Sequence, residues 1–455
     1  MNCYNLNDIN YKIQGYIGKN AFQNCKFQNV ELDCLGINDY AFYKCTSLAT
    51  IVLHDTVKYI SSGAFQACSS LNSLKLSKNL EVLGIQAFFD CLSLKDLSIY
   101  TKLTNISIGA FENCKSLESL NLGNNIKSID SRAFYNCENL VSISFTPSLE
   151  IIGESSFFNC KSLPEIKLPY SMKTLHSDAF YNCISLSSLT IPNSLEVIEK
   201  NTFYNCQSLT SVLLHENIRF ISSFSFFNCS SLKTITSVVP SNATFEDNCF
   251  TNTISLKTLI FGSNNFEILR FSNKESLTDV TFASDTISVT PSLYDFKKLE
   301  KIEINSTKSV SIQKNFACSS KLSIYLYNNI SSIDDHAFDG SEIELFVYCG
   351  VNTIKGKFLE NAKKCKTVFV GKYYFDSKIG GINAEKDKIP MFCKENITVK
   401  SNRLQKILII VFSSGLSISL IIALIIIVRQ HSIRQNQKRI QDKLLLGANI
   451  INDFG

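Results

Sequence analysis

The sequence predicts a repeat solenoid, in which short strands and turns are stacked coil upon coil around one elongated core. Two observations predict it. The first is self-similarity. SSGAFQACSSLNSLKL at residues 61–76 recurs as GIQAFFDCLSLKDLSI, SIGAFENCKSLESLNL and four further variants, and Cys45, Cys68, Cys91, Cys114, Cys137, Cys160, Cys183, Cys206 and Cys229 follow at intervals of 23 residues. A constant period of roughly 20–50 residues signals a solenoid, a propeller or an array. The second is that one copy cannot bury its own apolar side chains, whereas stacked copies share a continuous core.

Within a repeat, apolar residues fall at +3, +6, +8, +12 and +15 from the cysteine, with Phe three before it. In the Cys68 repeat these are Leu71, Leu74, Leu76, Leu80, Leu83 and Phe65. The alternation at Leu74 and Leu76 predicts a short strand with Ser73, Lys75 and Ser77 facing out. Spacing of three in Ala-Phe-x-x-Cys-x-x-Leu predicts helical or 3₁₀ turns. Ala64, Ala87, Ala110, Ala133 and Ala179 fit a crowded inside corner, where Ser156, Thr202 and Ser225 show that a hydroxyl is tolerated.

The pattern A-F-x-x-C-x-S-L-x-x-L-x-L, with Leu or Ile at +12 and +15, resembles the leucine-rich repeats of the BspA-like surface protein family over roughly residues 20–370. The resemblance implies a leucine-rich-repeat right-handed coil, with a concave parallel β-sheet and short helical or 3₁₀ turns on the other side. It also implies a surface protein that attaches to host or matrix proteins such as fibronectin, or to other cells.

Taken in order, residues 1–24 read as an N-terminal capping coil, with Ile17, Ala21 and Phe22 already resembling the end of a repeat. The first thirty residues hold no apolar run, so no cleavable signal peptide is expected there. Residues 25–371 form the solenoid, regular to about 235 and degenerate after, where Thr253, Lys274, Phe296, Ser319 and Ser341 stand in for the cysteine. About sixteen coils at about 4.8 Å each predict a stack about 75 Å long. Residues 372–405 read as a polar juxtamembrane stalk, and 406–428 as a transmembrane helix whose apolar run is Ile407–Val428. That run of 22 uncharged residues spans about 33 Å as a helix, enough to cross a bilayer core. Residues 429–455 form a short basic tail, expected in the cytosol.

Composition narrows the function. A net charge of +5 over 455 residues, without a basic stripe, argues against a nucleic-acid partner. Seventeen cysteines would ordinarily suggest disulfides, but the spacing places ten of them in one buried column. Parallel side chains about 4.8 Å apart do not meet disulfide geometry, so these read as free thiols filling core. Cys349, Cys365 and Cys393 are off the column, and a bridge among them would staple the C-terminal end. His54, His176, His215, His336 and His431 are dispersed, no phosphate-cradling glycine loop occurs, and nothing basic sits at a fixed offset from the cysteines. No enzyme, cofactor or metal site is therefore expected.

What remains is the outward face of the sheet. Its central column includes Lys75, Ser98, Asn121, Ser144, Lys167, Thr190 and Thr236, small and hydroxyl-rich, and it turns aromatic at Tyr325, Tyr327, Phe346 and Tyr348. Such a face suits a protein or glycan ligand, although Ser and Thr are also simply tolerated on exposed strands. Six N-x-S/T sequons, at Asn105, Asn228, Asn242, Asn305, Asn329 and Asn396, are close to chance in so Asn-rich a chain. The reading that results is a non-enzymatic, single-pass plasma-membrane adhesin with extracellular repeats. The alternative is a tail-anchored cytosolic interaction scaffold on an internal membrane, with which an unpaired cysteine column is compatible.

Overall fold

The period of the sequence becomes the pitch of the structure. The computed structural model describes residues 8–386, apart from 271, 286 and 307, together with Cys393. It is a parallel β-solenoid of about fifteen coils. Each regular coil gives one strand to a long sheet and a two-residue strand to a second sheet. In the Cys68 coil these are Ser73–Lys75 and Val82–Leu83. Register follows the repeat, so Ile51 lies opposite Leu74 and Ile60 opposite Leu83, equivalent side chains facing the same way in successive coils. In the C-terminal half the long sheet runs unbroken from Ser211–Leu214 to Val368–Val370.

The conserved-looking positions within the repeat fill the core. The phenylalanines from Phe22 to Phe250, one per coil, stack with ring centroids 5.0–5.8 Å apart. Beside them runs the cysteine column, every thiol from Cys45 to Cys229 fully buried. Each thiol donates to the backbone carbonyl of the phenylalanine one coil earlier, as Cys137 Sγ does to Phe111 O at 3.5 Å and Cys68 Sγ to Phe42 O at 3.3 Å. None of these cysteines is in a disulfide.

The turns differ from expectation. Among the described residues a single short 3₁₀ helix occurs, Glu267–Arg270. The Ala-Phe-x-x-Cys run does close tight turns, with Cys45 N–H bonded to Phe42 O at 3.2 Å and Leu48 N–H to Cys45 O at 3.0 Å. Helix does not propagate, because the residues five and one before the cysteine have positive φ, as at Asp178 (58°) and Asn182 (60°). The left-handed residues turn alternate amides toward the neighbouring coil. Asp178, Phe180 and Asn182 N–H groups thus bond to the carbonyls of Lys200, Thr202 and Tyr204. The turn side of the stack is itself a hydrogen-bonded ladder.

Two further ladders, which the spacing does not reveal, run along the stack. Asn113, Asn136, Asn159, Asn182, Asn205 and Asn228 each donate a side-chain hydrogen bond of 2.5–2.9 Å to the equivalent residue one coil earlier, ending on Asp90. Next to them Tyr135, Phe158, Tyr181, Tyr204 and Phe227 stack with centroids 4.4–4.9 Å apart. Asparagine suits that position doubly, since it tolerates the left-handed region and its amide both donates and accepts.

At the C-terminal end Cys349 forms a disulfide with Cys393, while Cys365 is free. The final strands, Lys378–Ile379 and Ile382–Asn383, form an antiparallel hairpin. The apolar run Ile407–Val428 and the basic tail 429–455 lie outside the described residues. Among the described residues no helix is long and apolar enough to cross a membrane.

Candidate ligand-binding face

The long sheet buries one side and presents the other, because successive side chains of a strand alternate. The predicted residues Lys75, Ser98, Ser144, Lys167 and Thr190 are exposed, and Asn121 and Thr236 are half-buried. They occupy one row across the strands. Lys75 lies opposite Val52, Ser98 opposite Asn121, Asn121 opposite Ser144, and Lys167 opposite Thr190. In the continuous part the row runs Leu213, Thr236, Ile260, Thr281, Glu303, Tyr325.

Along the regular coils the row is lightly cross-linked. Asn121 donates to the Tyr100 hydroxyl at 2.6 Å, and Lys167 pairs with Glu165 at 3.0 Å. The +9 position behaves otherwise than expected. Ser77 is fully buried, and its Oγ accepts the Asn79 N–H at 3.1 Å, which secures the bend after the strand. Ser77 therefore does not belong to the outward face.

The aromatic end is more organised. Tyr325 and Tyr327 stack at 6.5 Å, and the Tyr327 hydroxyl donates to Glu303 at 2.8 Å. Lys301 pairs with the same carboxylate at 2.8 Å and lies 5.6 Å from the Tyr325 ring centre, while Thr281 Oγ1 donates to Glu303 at 3.3 Å. Burial alone would raise the Glu303 pKa. The hydrogen bonds from Lys301 and Tyr327 outweigh it and hold the carboxyl below its usual range. The same bonding, added to burial, pushes the Tyr327 phenol well above its ordinary value. The two tyrosines are thus fixed, half-exposed rings with a charged partner beneath them.

Phe346 and Tyr348 do not join them. Both are fully buried. The reason is an extra residue in the strand Glu342–Tyr348. Ile343 lies opposite Leu322, but Leu345 lies opposite the next residue, Ser323. Past that bulge every side chain changes face. Phe346 then faces inward with Ile324 and Tyr348 with Leu326, and the place opposite Tyr325 falls to Val347. Spacing carried over from the regular coils cannot reveal such a shift.

Burial pushes the thiols from Cys68 to Cys229 up, Cys229 to about 12, so they carry their protons at neutral pH. Among the described residues no group of three or more His, Cys, Asp or Glu side chains converges as a metal would require.

A stack of near-identical coils with a broad, ordered outward sheet defines a repeat solenoid. The family model described as "BspA type Leucine rich repeat region" matches residues 15–141, 127–257 and 243–366, and the chain belongs to that family. A Trichomonas vaginalis protein, "Putative surface protein bspA-like", is 31% identical over 115 residues, 25% of this chain and 18% of that protein. The chain therefore matches less than a fifth of the curated relative's length. Among solved structures, a leucine-rich repeat protein from Bacteroides ovatus is 20% identical, with 81% of this chain and 87% of that one covered and a TM-score of 0.45. The pneumococcal vaccine antigen PcpA is 17% identical, with 79% and 87% covered and a TM-score of 0.38.

Proposed function

We propose that this chain is a non-enzymatic, single-pass cell-surface adhesin that binds host, matrix or cell-surface proteins through the outward face of its long sheet. Membership of a leucine-rich-repeat family supports the protein-binding part, and the Trichomonas relative carries a surface-protein name. One observation carries the site. It is the Tyr325–Tyr327 pair held over Glu303 and Lys301 within the unbroken part of the long sheet. Half-exposed, immobilised aromatics lose little entropy on docking and are favoured anchors at interfaces. Lys75, Ser98, Asn121, Ser144, Lys167, Thr190 and Thr236 extend the contact as complementary polar surface.

The Cys349–Cys393 disulfide favours the outside, because such bonds persist in oxidising compartments. Ile407–Val428 is the anchor in this reading, and residues 429–455 the cytosolic tail. Protease shaving of intact cells tests the orientation. Loss of the repeats together with a known surface protein is expected, and repeats that survive would assign the chain to the cytosolic tail-anchored scaffold instead. Binding to immobilised fibronectin and to cell monolayers tests the site. The Tyr325→Ala/Tyr327→Ala variant should bind about tenfold or more weakly with an unchanged circular dichroism spectrum.

A further inference from the structure

The last described coil carries a surface that the sheet-face reading leaves unused. Phe375 is 88% exposed and Tyr373 66% exposed, although Tyr374 between them is buried against Tyr348 with ring centres 5.7 Å apart. The buried ring fixes the orientation of its two neighbours. Lys372 and Lys378 are exposed beside them, Lys372 lying 5.8 Å from the Tyr373 ring centre, and Lys386 Nζ donates to the Phe375 carbonyl at 3.2 Å. Asp376 is the one acidic residue within 372–384. A nearly bare phenylalanine flanked by a tyrosine and lysines is costly in water. It matches the composition of a membrane interface, where aromatic rings sit at headgroup level and lysines meet anionic lipid.

Chain connectivity bears on the same point. Gly371 packs against the Cys349 backbone so closely that a Cβ there would lie 3.0 Å from the Cys349 carbonyl oxygen, and Gly371 N–H bonds to Tyr348 O at 2.7 Å. The disulfide from Cys349 therefore ties Cys393, within the stalk, to the backbone against which Gly371 packs. From Cys393 to the apolar run at Ile407 the chain reaches at most about 50 Å when fully extended. Residues 372–406 carry eight Lys and Arg against four Asp and Glu.

We infer that Tyr373 and Phe375, with Lys372 and Lys378, form a lipid-docking edge that rests the C-terminal coil on the headgroups of the bilayer holding the anchor. This rests on reading Ile407–Val428 as membrane-spanning.

The chain contains no tryptophan, so a single introduced indole reports alone. Full-length Phe375→Trp and Tyr170→Trp variants are reconstituted into vesicles of phosphatidylcholine and phosphatidylserine with brominated acyl chains, and flotation is measured in parallel. Tyr170 is 60% exposed in a distant coil. The expected result is flotation of both variants, with roughly twofold quenching and a blue shift for Phe375→Trp alone. Adding Lys372→Glu and Lys378→Glu should reduce that quenching. Flotation without quenching at Phe375→Trp overturns the docking edge while leaving the anchor intact. Equal quenching at Tyr170→Trp overturns the docking edge as a local contact. Failure to float overturns the anchor and the docking edge together.

Discussion

A thiol recurs in every regular coil because it is small, apolar and able to donate. Each reaches the phenylalanine carbonyl one coil away, a bond that alanine lacks and that serine's shorter hydroxyl meets less well. Cys137→Ser should cost about 1–3 kcal/mol, measured by urea denaturation. His215 acts differently. It is 5% exposed, its Nδ1 accepts the Asn217 N–H at 3.3 Å, and burial draws its pKa down to about 4, only partly offset by the Pro192 carbonyl. Above pH 6.5 both folded and unfolded forms are neutral. Between pH 6.5 and about 4 the unfolded chain takes up the proton first, so stability falls with pH, by roughly 3 kcal/mol at the lower end. A His215→Asn variant should lack that part of the acid sensitivity in denaturation midpoints compared at pH 7 and pH 4.5.

At the scale of the element, the turn is where sequence and structure part. Spacing of three correctly marked a turn, but the residue one before the cysteine, asparagine in every coil from Asn113 to Asn228, carried the signal that stops a helix. Asn159 has φ 60°, donates to Asn136 at 2.8 Å and accepts from Asn182 at 2.5 Å. Asn159→Ala removes both bonds and should lose about 1–3 kcal/mol, and Asn159→Gly should lose less because glycine adopts the left-handed region freely. Ala67 holds the equivalent conformation at φ 59°, so the position bears alanine without collapse of the coil. The C-terminal coil has its own fastener. Reductant should lower the melting temperature of the parent, and Cys349→Ser/Cys393→Ser should melt lower and be insensitive to reductant, since none of the fourteen other described cysteines is in a disulfide.

Across the whole molecule, stability is a sum of coils and the contacts between neighbours, so repeats can drift in sequence while the sheet continues. That drift separates the two halves of the face. In the regular coils the outward positions Lys75 to Thr190 could be counted from the cysteine, because a 23-residue period conserves which side chains point out. Beyond Ser319 the same counting placed Tyr325 and Tyr327 outward but carried Phe346 and Tyr348 to the wrong side. Nor did spacing reveal that Glu303 would draw Tyr327, Lys301 and Thr281 into one cluster, since Thr281 and Tyr327 come from the coils on either side of it.

The sequence alone determined the solenoid, its register and the identity of its core columns, because a fixed period repeats the same local choices and leaves stacking as the one way to bury them. The tertiary structure decided what depends on a single event. The bulge in Glu342–Tyr348 turned two aromatics inward, and the bond from Cys349 to Cys393 tied the last coils to a cysteine 44 residues on. Neither event repeats, so no periodicity announces it.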